Sequence, residues 1–165
     1  MICLEKITWE NYATVAVGLK LNKVQQTFLA NNELSLVQAY VSTTNDEYPF
    51  LPYAIYSDDT VIGFTMIFYK AKNKPHFLID ELSKESFYGI CRFMIAEEYQ
   101  GKGYGKEAVK KVVDEIRTFP YGEGSAIYLS YDHENIAAKN LFASVGFVET
   151  GEDDSEGCAL AKLIL

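Results

Sequence analysis

No run of apolar residues in this chain approaches the length of a membrane span, and its first residues lack the basic-then-apolar order of a secretory leader. The expectation is a cytoplasmic protein that does not enter a membrane. Cysteine is scarce: Cys3, Cys91 and Cys158 are scattered and odd in number. That argues against a disulfide framework, their spacing offers no metal site, and free buried thiols in a reducing compartment are expected. The two histidines, His76 and His133, have no partner at a recognisable catalytic spacing. Basic residues are outnumbered, with 15 Lys and Arg against 23 Asp and Glu, so a net charge of −8 argues against a nucleic-acid partner and leans toward a cationic one. The blander meaning of that charge is solubility. No internal repeat or low-complexity tract is present. What the chain does have is 165 residues, 48% of them hydrophobic, and 14% aromatics supplied mainly by Tyr and Phe. One domain over residues 1–165 is expected, long enough to bury a core.

The most informative stretch is 93–106, where an apolar strand end, Phe93-Met94-Ile95, passes through Ala96-Glu97-Glu98-Tyr99 into Gln100-Gly101-Lys102-Gly103-Tyr104-Gly105-Lys106. A helix follows at once: Val109, Val112, Val113 and Ile116 recur at i, i+3, i+4, i+7, with Lys106, Glu107, Lys110, Lys111, Asp114 and Glu115 on the other face. Strand, glycine loop and helix start together form an anion site. The first amides of the helix lack intrahelical acceptors, the dipole is positive there, and glycine lets an anion approach the backbone. A nucleotide P-loop is excluded because Glu107 follows Gly105-Lys106 where Ser or Thr is required. A dinucleotide fingerprint is excluded because the glycines run G-x-G-x-G instead of G-x-G-x-x-G.

In chain order, Ile2–Ile7 reads as a strand, Trp9 to Leu19 as a helix, and Asn22–Val41 as a helical region broken near Asn31-Asn32, with Ser35-x-x-Gln38 as a capping box for its second half. A loop follows over Asn45–Pro52. Tyr53–Ser57 and Val61–Tyr69 form a hairpin about Ser57-Asp58-Asp59-Thr60. The second strand is apolar on both faces and therefore central, with Gly63 marking a bulge or close approach. Residues 70–85 carry little pattern. Ser86–Ile95 feeds the glycine loop, Ala126–Tyr131 is the strand after the helix, and a last helix starts at Asn135 and stops at Gly146. Phe147–Thr150 and Cys158–Leu165 close the sheet around a turn at Gly151–Gly157. The fold class expected is α/β, with a mixed sheet flanked by helices.

Two motifs in this order resemble those of the GCN5-related N-acetyltransferases. Gln100-x-x-Gly103-x-Gly105 is similar to the family's Q/R-x-x-G-x-G/A loop. Asn135, Ala138, Leu141, Phe142, Gly146 and Phe147 resemble its second motif, one helix and one strand later. Phe28–Tyr40, 49–56 and Arg92-Phe-Met-Ile…Tyr-Gln-Gly-Lys-Gly-Tyr-Gly resemble the bacterial spermine/spermidine members. The resemblance implies about seven strands, mostly antiparallel, with two central parallel strands splayed to admit acetyl-CoA as cosubstrate, and no metal. It implies that Phe93, Met94 and Ile95 offer backbone groups to the pantetheine, and that Gly101, Lys102, Gly103, Tyr104, Gly105 and Lys106, after Gln100, surround the pyrophosphate. Asn135 would bond the pantetheine arm, with Ala138 and Phe142 beside the thioester. The amine would attack the thioester directly, without a covalent enzyme intermediate.

Two departures stand out. Phe142 occupies the position where the family often has a Tyr that protonates the leaving thiolate. Cys91, next to Arg92, occupies the strand position where polyamine enzymes tend to carry an acid. Substitutes are Tyr131 and Tyr128 on the neighbouring strand and Glu97 or Glu98 beyond the other; Tyr131 and Glu97 are the candidate catalytic groups. The expected activity is acetyl transfer to a primary amine of a small molecule, polyamines leading, recruited by acidic residues near Glu33, Asp80, Glu81 and Glu85. The alternatives are a catalytically weak acetyl-CoA-binding or regulatory module, or an enzyme of protein N-termini or aminoglycosides. Nucleic acid and membrane are not expected partners, and homodimerisation stays open.

Overall fold

The structure is a computed structural model that describes residues 1–45, 48–72 and 84–165. Its strands β1 (Ile2–Lys6), β2 (Phe50–Ser57), β3 (Thr60–Lys70), β4 (Phe87–Ile95), β5 (Ala126–Tyr131), β6 (Val148–Asp153) and β7 (Ala159–Ile164) join in one sheet ordered β1-β2-β3-β4-β5-β7-β6. Among the described strands, β4 and β5 make the one parallel pair and every other neighbour runs antiparallel. The helices are α1 (Asn32–Thr44), α2 (Tyr104–Ile116) and α3 (Ile136–Ala143). This is the mixed α/β sheet with a central parallel pair that the resemblance implied.

Strand β3 is central for the reason its sequence suggests: Ile62 through Phe68 are all buried, so both faces of the pleat meet core. On one face α2 inserts Val109, Val112, Val113 and Ile116, which are almost fully buried. Each contributes about 1.5–3 kcal/mol relative to exposure, enough to fix the helix against the sheet without help from its solvated Lys and Glu residues. The other face is closed by Phe50, Phe68, Phe87 and Tyr128, whose rings meet edge-on or tilted, together with Phe64 and α1.

Several boundaries differ from the sequence reading. Asn31, not Ser35, caps α1: its Oδ1 accepts from the Leu34 amide at 2.8 Å. Ser35 lies buried inside the helix, and its hydroxyl donates back to the Asn31 carbonyl. The Trp9–Leu19 helix shrinks to a turn and a π-helical stretch at Thr14–Gly18, because Asn11 folds back on the Thr8 amide and the Lys6 carbonyl. Trp9 is left 86% exposed, packed edge-on to Tyr12 rather than on a buried face. Before α1 the chain makes a short 3-10 turn at Gln25–Thr27 in place of a helix. β2 begins at Phe50, inside the expected loop, and Pro52 is accommodated because it lies beyond the last β1 pair, Lys6 with Tyr53. β6 runs on to Asp153, so the closing turn is shorter than expected.

Candidate active site

The site begins with one extra residue in β4. Met66 pairs with Arg92 and Ile67 with Ile90, which leaves Cys91 without a partner: a β-bulge. Its thiol donates to the Met66 carbonyl at 3.1 Å, and desolvation pushes the thiol up to about 12, so it stays protonated and cannot serve as base or nucleophile at neutral pH. Just before the bulge β4 leaves β5. The two pair at Tyr88 with Ile127 and at Gly89 with Tyr128, whereas β5 stays with β7 as far as Tyr131 opposite Ala159. The sheet therefore opens from Ile90 onward on one side and from Leu129 onward on the other.

Backbone alternation fixes what β4 offers to this gap. The Met94 carbonyl points at β3, where a Cβ on Gly63 would stand 2.3 Å from it. The close approach anticipated at Gly63 is therefore real. Because successive residues turn their N–H and C=O to opposite edges, Phe93 and Ile95 direct theirs toward the gap. The Ile95 carbonyl is taken by Gln100 Nε2 at 2.7 Å, and Gln100 also exchanges amide bonds with Gln25 at 2.9 and 3.1 Å. Gln100 thus acts as a clamp that draws the glycine loop and the 25–27 turn to the end of β4, and this spends its side chain.

The loop then delivers α2 uncapped. Gly103, at φ +85°, is the N-cap and supplies no side-chain acceptor, so the amides of the first turn keep their donors. Gly101 shares the left-handed region, and a Cβ at either glycine would meet nothing within 4 Å. Both positions border open space, where an anion can reach the backbone. Lys102 is turned away, its Nζ donating to the Glu98 carbonyl at 2.9 Å and resting over the Tyr99 ring. Tyr104 packs into the cluster of Ile2, Ile55, Ile62 and Ile95. Lys106 is exposed.

A cleft of about 310 Å³ runs from this loop along β4 to α3. Phe93, Met94, Ile95, Gln100, Gly101 and Gly105 form one side, and Asn135, Ala138 and Phe142 the other. Of the residues expected around the cofactor, Lys102, Gly103, Tyr104 and Lys106 do not line it. Leu21, Gln25, Leu29 and Ala137 line it and were missed, and Phe28 and Leu141, named only as parts of resembling stretches, line it too. For Leu29 the trace in the sequence was the resemblance of the Phe28–Tyr40 stretch; Leu21 and Gln25 lie in an irregular segment that no periodicity marks. Asn135 caps α3, its Oδ1 accepting the Ala138 amide at 3.1 Å, so the Nδ2 amide remains for a ligand. Phe142 is held by Phe93, Phe147 and the nearly parallel ring of Tyr131.

Where the strands part, the cleft continues into a narrow throat of about 100 Å³ that shares Phe93, Asn135, Ala138 and Phe142 with it. The throat in turn shares Ile90, Cys91, Arg92, Leu129 and Ser130 with a further cavity of about 200 Å³. The three run in series through the sheet. Arg92 stands between the last two. Its Nη1 donates to the Cys91 carbonyl at 2.6 Å, Nε to Ser35 Oγ at 3.1 Å and Nη2 to Gln38 Oε1 at 3.4 Å. No carboxylate pairs with it among the described residues.

The candidate catalytic groups sit as follows. Tyr131 borders the throat, but its hydroxyl donates to Glu149 Oε1 at 3.0 Å, and Glu149 pairs with Lys139 at 3.0 Å. Burial, then that bond, push the phenol up to about 12. Glu97 is exposed and, together with Glu33, lines a more polar cavity of about 620 Å³ that shares Leu21, Leu29 and Met94 with the cleft. Glu98 is exposed, and Tyr128 lines the cavity beyond the throat. Glu85 bonds Ser125 through Oε2 at 2.8 Å. His133 is 2.9 Å from Asp153 on the surface. His76, Asp80 and Glu81 lie outside the described residues.

Residues 21–147 match the model of the acetyltransferase (GNAT) family. A spermine/spermidine N(1)-acetyltransferase of Bacillus subtilis is 28% identical over 158 residues, covering 94% of this chain and 93% of that protein. In structure the chain is similar to the aminoglycoside acetyltransferase AAC(6')-Ib in complex with coenzyme A, with a TM-score of 0.73 at 18% identity, covering 99% of this chain and 95% of that one. It is also similar to a spermidine N-acetyltransferase from Vibrio cholerae in complex with CoA and spermine, with a TM-score of 0.67 at 18% identity and the same coverages. The splayed sheet, the uncapped glycine loop and the family match agree: the chain belongs to the GNAT family, an acetyl-CoA-dependent N-acetyltransferase.

Proposed function

We propose that the chain acetylates a primary amine of a polyamine, spermidine or spermine. The observation that carries the substrate class is the 28% identity to the Bacillus spermine/spermidine enzyme across 94% of the chain. The throat supports it physically. About 100 Å³ walled by Ile90, Phe93 and Leu129 admits an unbranched alkylamine more readily than an aminoglycoside ring.

Acetyl-CoA supplies an acetyl thioester. The uncapped amides of α2 hold its pyrophosphate, and the free edge of β4, the Phe93 N–H and C=O and the Ile95 N–H, pairs with the pantetheine as an added strand. Asn135 Nδ2 donates to the same arm from across the cleft. The unprotonated amine attacks the thioester carbonyl carbon, with charge developing on oxygen near the Phe93 amide, which faces the gap where the throat meets the cleft. The carbon–sulfur bond then breaks, the nitrogen loses a proton and the thiolate gains one. Phe142 has no proton to give, Cys91 cannot accept one, and the Tyr131 hydroxyl is engaged by Glu149. In this reading solvent entering the throat carries the protons; Asp132, not Glu97, is the carboxylate that lines the throat. The same observations favour a second reading, in which the chain binds acetyl-CoA with little turnover.

A thiol-release assay across spermidine, spermine, phenethylamine and an aminoglycoside separates them. Release with spermidine in preference to the rest is expected. CoA binding without thiol release from any amine would support the second reading instead.

A further inference from the structure

The cavity beyond the throat holds two buried polar groups with unused hydrogen-bonding capacity. Asp154, in the turn between β6 and β7, is 9% exposed. Its Oδ1 accepts the amides of Glu156 and Cys158 at 2.9 and 3.0 Å. Its Oδ2 has no protein partner and no cation pairs with the carboxylate among the described residues. Tyr128, 7% exposed, lines the same cavity, and its hydroxyl makes no hydrogen bond among the described residues. Burial raises the Tyr128 phenol, and the nearby carboxylates Glu85 and Glu152 raise it further, so the potential around it is negative. Glu156 adds a second carboxylate to the wall. A buried carboxylate with an idle oxygen is costly unless something cationic meets it.

Resting on the polyamine reading, we propose that this cavity is a subsite for a second, non-reacting ammonium of the acceptor, with Asp154 as its anchor. The walls suit the rest of such a molecule. Phe50, Phe68 and Tyr128 give an aromatic surface for methylenes and a negative ring face for an ammonium. Arg92 borders both the throat and the cavity, Asp132 borders the throat, and Asp154 and Glu156 border the cavity alone. A diamine threaded through the sheet puts one amine at the throat and the other beside Asp154, whose carboxylate holds it as an ammonium. An amine with one nitrogen has nothing to offer the carboxylate. This places acceptor recognition on the β6–β7 turn, away from the Glu33 region where the sequence suggested it.

The turn permits a clean test, because Asp154→Asn keeps an oxygen for the Glu156 and Cys158 amides while removing the charge. The quantity measured is the ratio of kcat/KM for spermidine to that for n-hexylamine, which has no second nitrogen. In the wild type the ratio should exceed about tenfold, and Asp154→Asn should reduce it by roughly 10-fold or more, the worth of one charged hydrogen bond. Tyr128→Phe, which removes only the hydroxyl, should reduce it by a few-fold and covers the case of an Asp154 variant that does not fold. A wild-type ratio near one, or a folded Asp154→Asn protein with the wild-type ratio, overturns the subsite. If the wild type releases no thiol with any amine, the acetyl-transfer reading itself fails, and that outcome is distinct.

Discussion

Replacing Gly63 with alanine tests whether the position of β4 governs the chemistry. The added methyl would stand 2.3 Å from the Met94 carbonyl oxygen, 3.0 Å from Ile95 Cδ1 and 3.3 Å from Ile55 Cδ1. The backbone at Gly63 is ordinary strand, so alanine brings no torsional strain and the whole effect is steric. The isoleucine tips can yield. The carbonyl cannot rotate away within the sheet, so β4 must retreat until the contact opens beyond 3.0 Å. Overpacking of this kind costs about 1–3 kcal/mol, and for a chain of this size each kcal/mol lowers Tm by about 2–4 °C. The retreating segment carries the Phe93 and Ile95 backbone groups that face the gap, and a displacement near 1 Å costs roughly 100-fold in rate. Ile62→Val is the control. Ile62 is fully buried in the cluster beside Gly63, and its truncation costs about 0.5–1.5 kcal/mol without pushing on β4. Thermal melts and kcat/KM on both variants separate lost stability from lost geometry. A folded Gly63→Ala enzyme with kcat/KM within about twofold of wild type would refute the claim that this strand edge positions the reaction.

Gly103→Val should weaken CoA binding by roughly tenfold or more, since it forces a β-branched residue into left-handed backbone and crowds amides that face the anion. Calorimetric titration checks it, and unchanged affinity in a folded variant would remove the loop from the cofactor site. Phe142→Tyr should leave turnover unchanged or raise it by up to ~10²-fold, according to whether proton delivery limits the rate. A variant that binds CoA normally but loses turnover would show that the packing against Phe93, Tyr131 and Phe147 matters more than a proton donor. Lys139, then Tyr131, hold the Glu149 carboxyl below its usual 4.5, so its contribution to stability is present above that pH and fades as pH falls through the lower folded value. Denaturant unfolding should therefore show Glu149→Gln weaker than wild type near pH 6 and the difference closing in acid; a constant difference would contradict the assignment.

Where local physics is strong, the chain declares itself. The stripe at Val109, Val112, Val113 and Ile116 commits α2 to one face of the sheet, and the unbroken apolar run of β3 commits it to the centre. The glycines at 101 and 103 require left-handed backbone that other residues adopt at a cost, so the loop could be placed from sequence alone. Irregular segments offered no such signal. Asn11 curls residues 8–18 into a turn through two hydrogen bonds, and the 25–27 turn is pinned by Gln100, 75 residues away. Both depend on partners that no local window contains. Nothing in the sequence distinguishes Asp154, because Asp in a turn is commonplace.

The sequence by itself determined the anion-binding loop, the helix that carries it, the central strand and the order of elements, since each follows from hydrophobic period or from backbone freedom at glycine. Only the tertiary structure decided the bulge at Cys91, the parting of β4 from β5, the cavities in series through the sheet and the meeting of Arg92, Tyr128 and Asp154 around one of them. Those features come from the register between strands far apart in the chain, and register is set by which side chains share a core, not by any residue's own preference.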